Sequence, residues 1–205
     1  MNSEKVDVIF LLDRSGSMHG SVNDTIGGFN AYLEEQKANE FDTKVTTILF
    51  DHGYEVLYKR KDIGEVKPLT HNEYYVRGST ALLDAIGRTI TTMEREIDNP
   101  VLFVITTDGY ENSSREFTKN QIKNMISNLN WEFIYLGADI DSFGEASHLG
   151  IRRDNVANYE KSSEGINNMF TSISCATDDL RMNKSLSAEW KKSLEEWNVF
   201  PSPFF

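Results

Sequence analysis

Apolar residues fall along this chain in two kinds of run. Near-continuous apolar stretches occupy positions 8–12, 101–105 and 133–136, the pattern of strands covered on both faces in a parallel sheet flanked by helices. Between them, apolar positions recur at helical spacing. One set is Val22, Ile26, Phe29 and Leu33; a second is Leu83, Ile86, Ile90, Met93 and Ile97; a third is Ile122, Met125, Ile126 and Leu129; a fourth is Ile166, Met169, Phe170, Ile173 and Leu180. Ser21 with Asp24 predicts a capping box for the first helix, and Ser113 with Glu116 places the start of the third. Strand alternating with helix predicts an α/β, doubly wound, Rossmann-like fold with helices on both faces of the sheet.

One interval breaks the alternation. Positions 45–50 and 54–58 are both strand-like, and only Asp51-His52-Gly53 separates them. A right-handed parallel crossover needs a dozen or more residues, so this pair must be an antiparallel hairpin. The sheet is then mostly parallel with one antiparallel edge strand, and positions 156–159 supply a last short strand. Beyond about Arg181 the pattern changes. Leu186, Trp190, Leu194 and Trp197 line one helical face, and a Phe-rich tail follows, ending in Phe204 and Phe205. We therefore divide the chain into a main domain, 1–181, and a C-terminal helix with apolar tail, 182–205. The stripe is expected to pack on the main domain as an extra helix; the alternative is a docking segment, because terminal phenylalanines otherwise expose apolar surface.

Composition narrows the function. A net charge of −11 argues against a nucleic-acid surface, which needs clustered Lys and Arg to displace counterions. Cys175 is the only cysteine, so no internal disulfide forms; lying among apolar helix positions, it is expected to be a small buried hydrophobe. No apolar run approaches the roughly 20 residues of a membrane span, and the N-terminus lacks a signal-peptide layout. The expectation is a cytoplasmic protein, monomeric by itself.

The chemistry sits in three loops. Asp13-Arg14-Ser15-Gly16-Ser17 follows the first strand, Gly78-Ser79-Thr80 precedes the second helix, and Thr107-Asp108-Gly109 ends a central strand. In an open α/β sheet, ligands bind at the carboxyl ends of the strands where the strand order reverses, so these loops can converge. They carry two carboxylates and three hydroxyls and no Cys or His. Such hard oxygen donors disfavour zinc and favour Mg2+, with Mn2+ or Ca2+ as alternatives. Two carboxylates only just neutralise a dication, which leaves it able to accept a further anionic ligand such as a partner's Asp or Glu.

Asp13, Ser15 and Ser17 as Asp-x-Ser-x-Ser, Thr80 within Gly-Ser-Thr-Ala-Leu, and Asp108 in Thr-Asp-Gly together resemble the von Willebrand factor A family and its metal-ion-dependent adhesion site (MIDAS). Order, spacing and strand context agree over roughly residues 4–180. The resemblance implies a six-stranded sheet between helices and a single divalent ion through which a protein partner binds. Ser15, Ser17 and Thr80 would coordinate directly, and Asp13 and Asp108 directly or through water. Met18-His19-Gly20 stand where the integrin-type adjacent site has acidic residues, so no second ion is expected. With no companion ATPase domain or secretion signal fused, a standalone intracellular module working with a separately encoded partner is expected.

Arg14 and Arg77 flank the ligand set and either attract an acidic partner or form structural ion pairs; His19 and His52 fall near the same rim. Asp139-Ile140-Asp141-Ser142-Phe143-Gly144 is no calcium loop, because Phe143 and Gly150 occupy positions that need oxygen ligands; it reads as a helix start, with Asp139 near the site. A metal-dependent hydrolase or phosphotransferase is the competing class. No phosphate-cradling loop, nucleophile elbow or histidine partner for Ser15 supports it, so no catalytic residue is expected. A third reading makes the metal purely structural, with docking through the C-terminal helix.

Overall fold

A computed structural model describes residues 5–39 and 41–197, with the side chains of residues 196 and 197 outside the description. The elements run β1 (Val6–Asp13), α1 (Val22–Ala38), β2 (Thr43–Phe50), β3 (Tyr54–Asp62), α2 (Leu82–Met93), β4 (Val101–Thr107), α3 (Lys119–Ser127), β5 (Glu132–Gly137), α4 (Ser142–His148), β6 (Val156–Asn158), α5 (Ser163–Asn183) and α6 (Lys192–Trp197). They build a six-stranded sheet in the order β3-β2-β1-β4-β5-β6. Only β2 and β3 pair antiparallel, as the three-residue gap between them requires. The order reverses between β1 and β4, whose carboxyl ends lie side by side with Leu12 opposite Thr106. That pair is the switch point at which ligands bind in such folds.

Alternation along β1 feeds two cores. Val6, Val8, Phe10 and Leu12 face α1 and α5, while Ile9 and Leu11 face α2 and α3. Both sets are fully buried, which is why β1 reads as an unbroken apolar run. Phe10 packs edge-on against Phe29 and Tyr32 at centroid distances of 5.2 and 5.0 Å. Burial of each such ring contributes roughly 1.5–3 kcal/mol. α1 and α5 approach closely because residue 28 has no side chain: a Cβ there would lie 2.2 Å from Phe170 Cδ2.

The C-terminal stripe belongs to the same core. Trp190 and Leu194 are buried with Tyr32, Met169 and Ile173, Leu186 packs against them, and Trp190 Nε1 donates to the Asp154 carbonyl at 3.1 Å. The tail with Phe204 and Phe205, and the Trp197 side chain, lie outside the described residues.

Three local expectations are corrected. Cys175 is exposed, not buried; on α5 the inward stripe is Met169, Phe170, Ile173, Ala176 and Leu180, and position 175 faces outward between its members. Ser21 makes no capping bond: a 3-10 turn, Gly16–Ser21, runs straight into α1, so Ser21 lacks the extended backbone of a cap, with φ −115° and ψ 5°. The third helix starts at Lys119, with the capping box formed by Thr118 and Gln121. Residues 113–117 stay a loop because carboxylates on other segments hold its amides. Asp84 accepts from Arg115, Glu116 and Phe117 at 2.8–3.0 Å, and Glu111 accepts from Ser113 and Ser114 at 2.9 and 2.7 Å.

Candidate metal centre

The site grows from the last residue of β1. Asp13 is fully buried; its Oδ1 accepts from the Ser15 amide at 2.7 Å and its Oδ2 from Thr107 Oγ1, at the end of β4, at 2.6 Å. Tyr74, buried below, donates its hydroxyl to the Asp13 carbonyl at 2.5 Å. The turn after β1 then brings Ser15 Oγ within 3.1 Å of Ser17 Oγ. Ser17 Oγ in turn donates a short hydrogen bond to Asp108 Oδ1. Thr80 enters from the far side, with its amide held by Asn112 Oδ1 at 3.0 Å and its carbonyl accepting from the Asn112 amide at 3.0 Å. A Cβ built on Gly109 would lie 3.0 Å from Thr80 Oγ1 and 3.5 Å from Ser17 Oγ, which explains why glycine follows Asp108. The fold thus brings Asp13, Ser15, Ser17, Thr80 and Asp108 to one spot at the switch point.

Two charged systems border this spot. Arg14, wholly buried, donates from Nε to Asp51 Oδ2 at 2.9 Å and pairs through Nη1 with Glu55 at 2.8 Å. Arg77, about half exposed, donates to the same Asp51 oxygen at 2.8 Å, and both guanidiniums lie over the Tyr75 ring. Arg14 and Arg77 are therefore structural ion pairs bracing the loops. The Arg14 carbonyl accepts from the Arg77 amide at 2.9 Å and the Asp51 carbonyl from the Ala81 amide at 2.9 Å, so the hairpin turn, the Asp13–Ser17 loop and the Thr80 loop form one unit. His19 is exposed; His52, also exposed, has Nδ1 3.4 Å from Asp51 Oδ1. On the other side Lys161 Nζ lies 2.7 Å from Asp108 Oδ2 and 3.7 Å from Asp139. Asp139 does border the site, and Asp141 caps α4 by accepting from the Gly144 amide at 3.0 Å.

Asp51 and Lys161 went unrecognised in the sequence. Asp51 read as a turn residue, although an acid in a three-residue hairpin turn beside the switch point is a usable signal; Lys161 stands alone in a polar loop and offers none.

Electrostatics at the centre favour a cation. Burial pushes the Asp13 carboxyl up to about 6, against the hydrogen bonds from Thr107 and Ser15 that pull it down. A raised acid is held more readily protonated in the fold than in the unfolded chain. The stability it contributes is present below about pH 4 and lost as pH rises through 6. Asp108 Oδ2 is buried, and its close partner is the Lys161 ammonium at 2.7 Å. A buried carboxylate oxygen is costly unless a cation satisfies it, and Lys161 supplies one here. Among the described residues no group of three or more His, Cys, Asp or Glu comes together, so an ion here must draw on the hydroxyls. Two carboxylates with three converging hydroxyls fit a hard divalent ion.

No protein-family model matches the sequence, and neither does any curated protein. The fold matches solved von Willebrand factor type A domains. Proximal thread matrix protein 1 from the mussel byssus, with a zinc-occupied MIDAS motif, superposes with a TM-score of 0.64 at 13% identity, covering 84% of this chain and 45% of that one. A von Willebrand factor type A protein from Catenulispora acidiphila gives 0.59 at 15% identity, over 85% of this chain and 43% of its own. The von Willebrand factor domain of the type V pili tip protein Mfa5 from Porphyromonas gingivalis gives 0.66 at 10% identity, over 86% of this chain and 97% of its own. The chain thus spans less than half the length of the mussel protein. At such identities the likeness establishes the fold: a von Willebrand factor A-type sheet, mostly parallel with one antiparallel edge strand.

Proposed function

We propose that this chain is a divalent-metal-dependent protein-binding module of the MIDAS type. Ser15, Ser17 and Thr80 hold the ion through their hydroxyls, while Asp13 and Asp108 neutralise it, directly or through water. When bound, the ion supplies Lewis acidity toward an Asp or Glu carboxylate of a partner protein. The observation that carries the reading is the convergence of two buried carboxylates and three hydroxyls at the β1/β4 switch point. The mussel byssus protein, whose MIDAS motif is zinc-occupied, supports divalent binding by this arrangement of loops. Mg2+ is the ion proposed here, because the donors are all oxygen, with Mn2+ or Ca2+ as alternatives.

The role is binding, with no catalytic residue assigned. Both carboxylates and the serine hydroxyls are committed to one another or to the loop amides, and no histidine reaches them, so nothing is placed as a general base. No helix among the described residues is long and apolar enough to cross a membrane. A cytoplasmic, monomeric module without a nucleic-acid partner completes the proposal.

The test is titration of Mg2+ and Mn2+ into the chelator-stripped full chain by calorimetry. One ion per chain is expected, with a rise in thermal midpoint that is larger at pH 7 than at pH 5, where a proton on Asp13 competes with the ion. An absence of binding at millimolar metal, by the wild type and by Lys161→Gln alike, would defeat the proposal.

A further inference from the structure

Lys161 stands in the loop between β6 and α5, directly before Ser162, whose hydroxyl caps α5 by accepting from the Gly165 amide at 3.0 Å. It reaches into the centre with two contacts to the ligand loops. Its Nζ is 2.7 Å from Asp108 Oδ2 and donates to the Ser17 carbonyl at 3.1 Å, while Asp139, 3.7 Å away, completes its surroundings. The Asp108 side chain is wholly buried and that of Lys161 three-quarters so, which sets this pair apart from the exposed ion pairs of the surface, where screening leaves little energy.

The charges conflict if a dication is also present. Asp13 and Asp108 together carry two negative charges when ionised, and the ammonium cancels one of them. A divalent ion then meets half the neutralising charge, and it meets a fixed cation within a few ångströms in a poorly screened pocket. The oxygen that Lys161 contacts, Asp108 Oδ2, is buried, so ammonium and metal, or metal-bound water, would draw on one acceptor.

Resting on the proposed metal site, we propose that Lys161 is a built-in counter-cation that competes with the divalent ion for Asp108 and ties metal loading to the position of the α5 N-terminus. Without metal, Lys161 ties Asp108 and the Ser17 carbonyl to the β6–α5 junction. With metal, it must withdraw from Asp108 toward Asp139 or solvent, or remain and leave the ion weakly held and strongly electrophilic toward a partner carboxylate. Either course sets the chain's metal affinity below that of the same ligands without the lysine.

Mn2+ and Mg2+ titrations of wild type, Lys161→Gln and Lys161→Arg test this, together with thermal midpoints in EDTA and in excess Mg2+. The expected result is metal affinity in Lys161→Gln tighter by on the order of tenfold, with Lys161→Arg near wild type. Lys161→Gln should also have a lower midpoint in EDTA that Mg2+ restores. Binding by Lys161→Gln where wild type shows none would support the proposal still more strongly. Equal or weaker affinity in Lys161→Gln, with wild type binding normally, would overturn the role of Lys161 and leave the metal site standing. No binding by any of the three proteins would overturn both.

Discussion

Asp13→Ala is expected to lower Mg2+ affinity by about a hundredfold or more, while leaving the chelator-stripped protein folded. Loss of a metal-orienting partner alone typically costs about 10–100-fold, and Asp13 brings half of the site's negative charge as well. The effect on the fold should be small because two terms oppose. Truncation leaves the Ser15 amide and the Thr107 hydroxyl without their acceptor, at about 1–3 kcal/mol for a buried unsatisfied group. It also removes a carboxyl that burial has pushed up to about 6, which at pH 7 relieves a cost of about 1.4 kcal/mol per unit of that rise. Calorimetric titration beside thermal melts in EDTA separates the two. Wild-type affinity in the variant would place the ion elsewhere; a collapsed melt in EDTA would make Asp13 a structural residue first.

Asp51→Ala should cost about 3–5 kcal/mol of stability, the usual result of removing one partner of a buried ion pair. Arg14 has no exposed side-chain surface, and after truncation its remaining acid is Glu55, itself about half exposed. Arg77 contributes little to the loss, because its side chain is about half exposed and screened. The pH dependence follows from the sign of the shift. Desolvation pulls the Asp51 carboxyl up, but the bonds from Arg77 and Gly53 and the charges of Arg14 and Arg77 outweigh it and hold it below the usual carboxylate range. Its stabilisation is therefore present above about pH 4 and lost as pH falls further. Urea unfolding of wild type and variant at pH 7 gives the difference directly, and a value under about 1 kcal/mol would mean that Arg14 finds another partner.

The parts of this molecule that the sequence made legible are those governed by local physics. Unbroken apolar runs identified β1, β4 and β5 because both faces of each strand are covered, and the three-residue gap forced the hairpin. The motif positions in the three loops stood out because parallel-sheet topology leaves few places for such loops to go. What was illegible depends on partners far along the chain. Ser113 and Glu116 have the spacing of a helix start, yet Asp84, 32 residues before Glu116, holds that segment's amides in a loop. The Arg14–Asp51 pair requires β2 to lie beside β1, which no residue of either segment announces. Lys161 meets Asp108 only because β6 is the last strand to join the sheet beyond β5. Cys175 looked buried because its neighbours are apolar, but helical phase decides such a position, and its phase is outward.

Affinity capture from native lysate tests whether an ion at this centre receives a partner's carboxylate. Tagged wild type and Thr80→Ala would each be used with Mg2+ and again with EDTA. The expected result is a protein retained by wild type in Mg2+, released by EDTA, lost from Thr80→Ala, and displaced when its own acidic contact residue is neutralised. A partner retained equally under all of these conditions would contradict it and move recognition away from the metal.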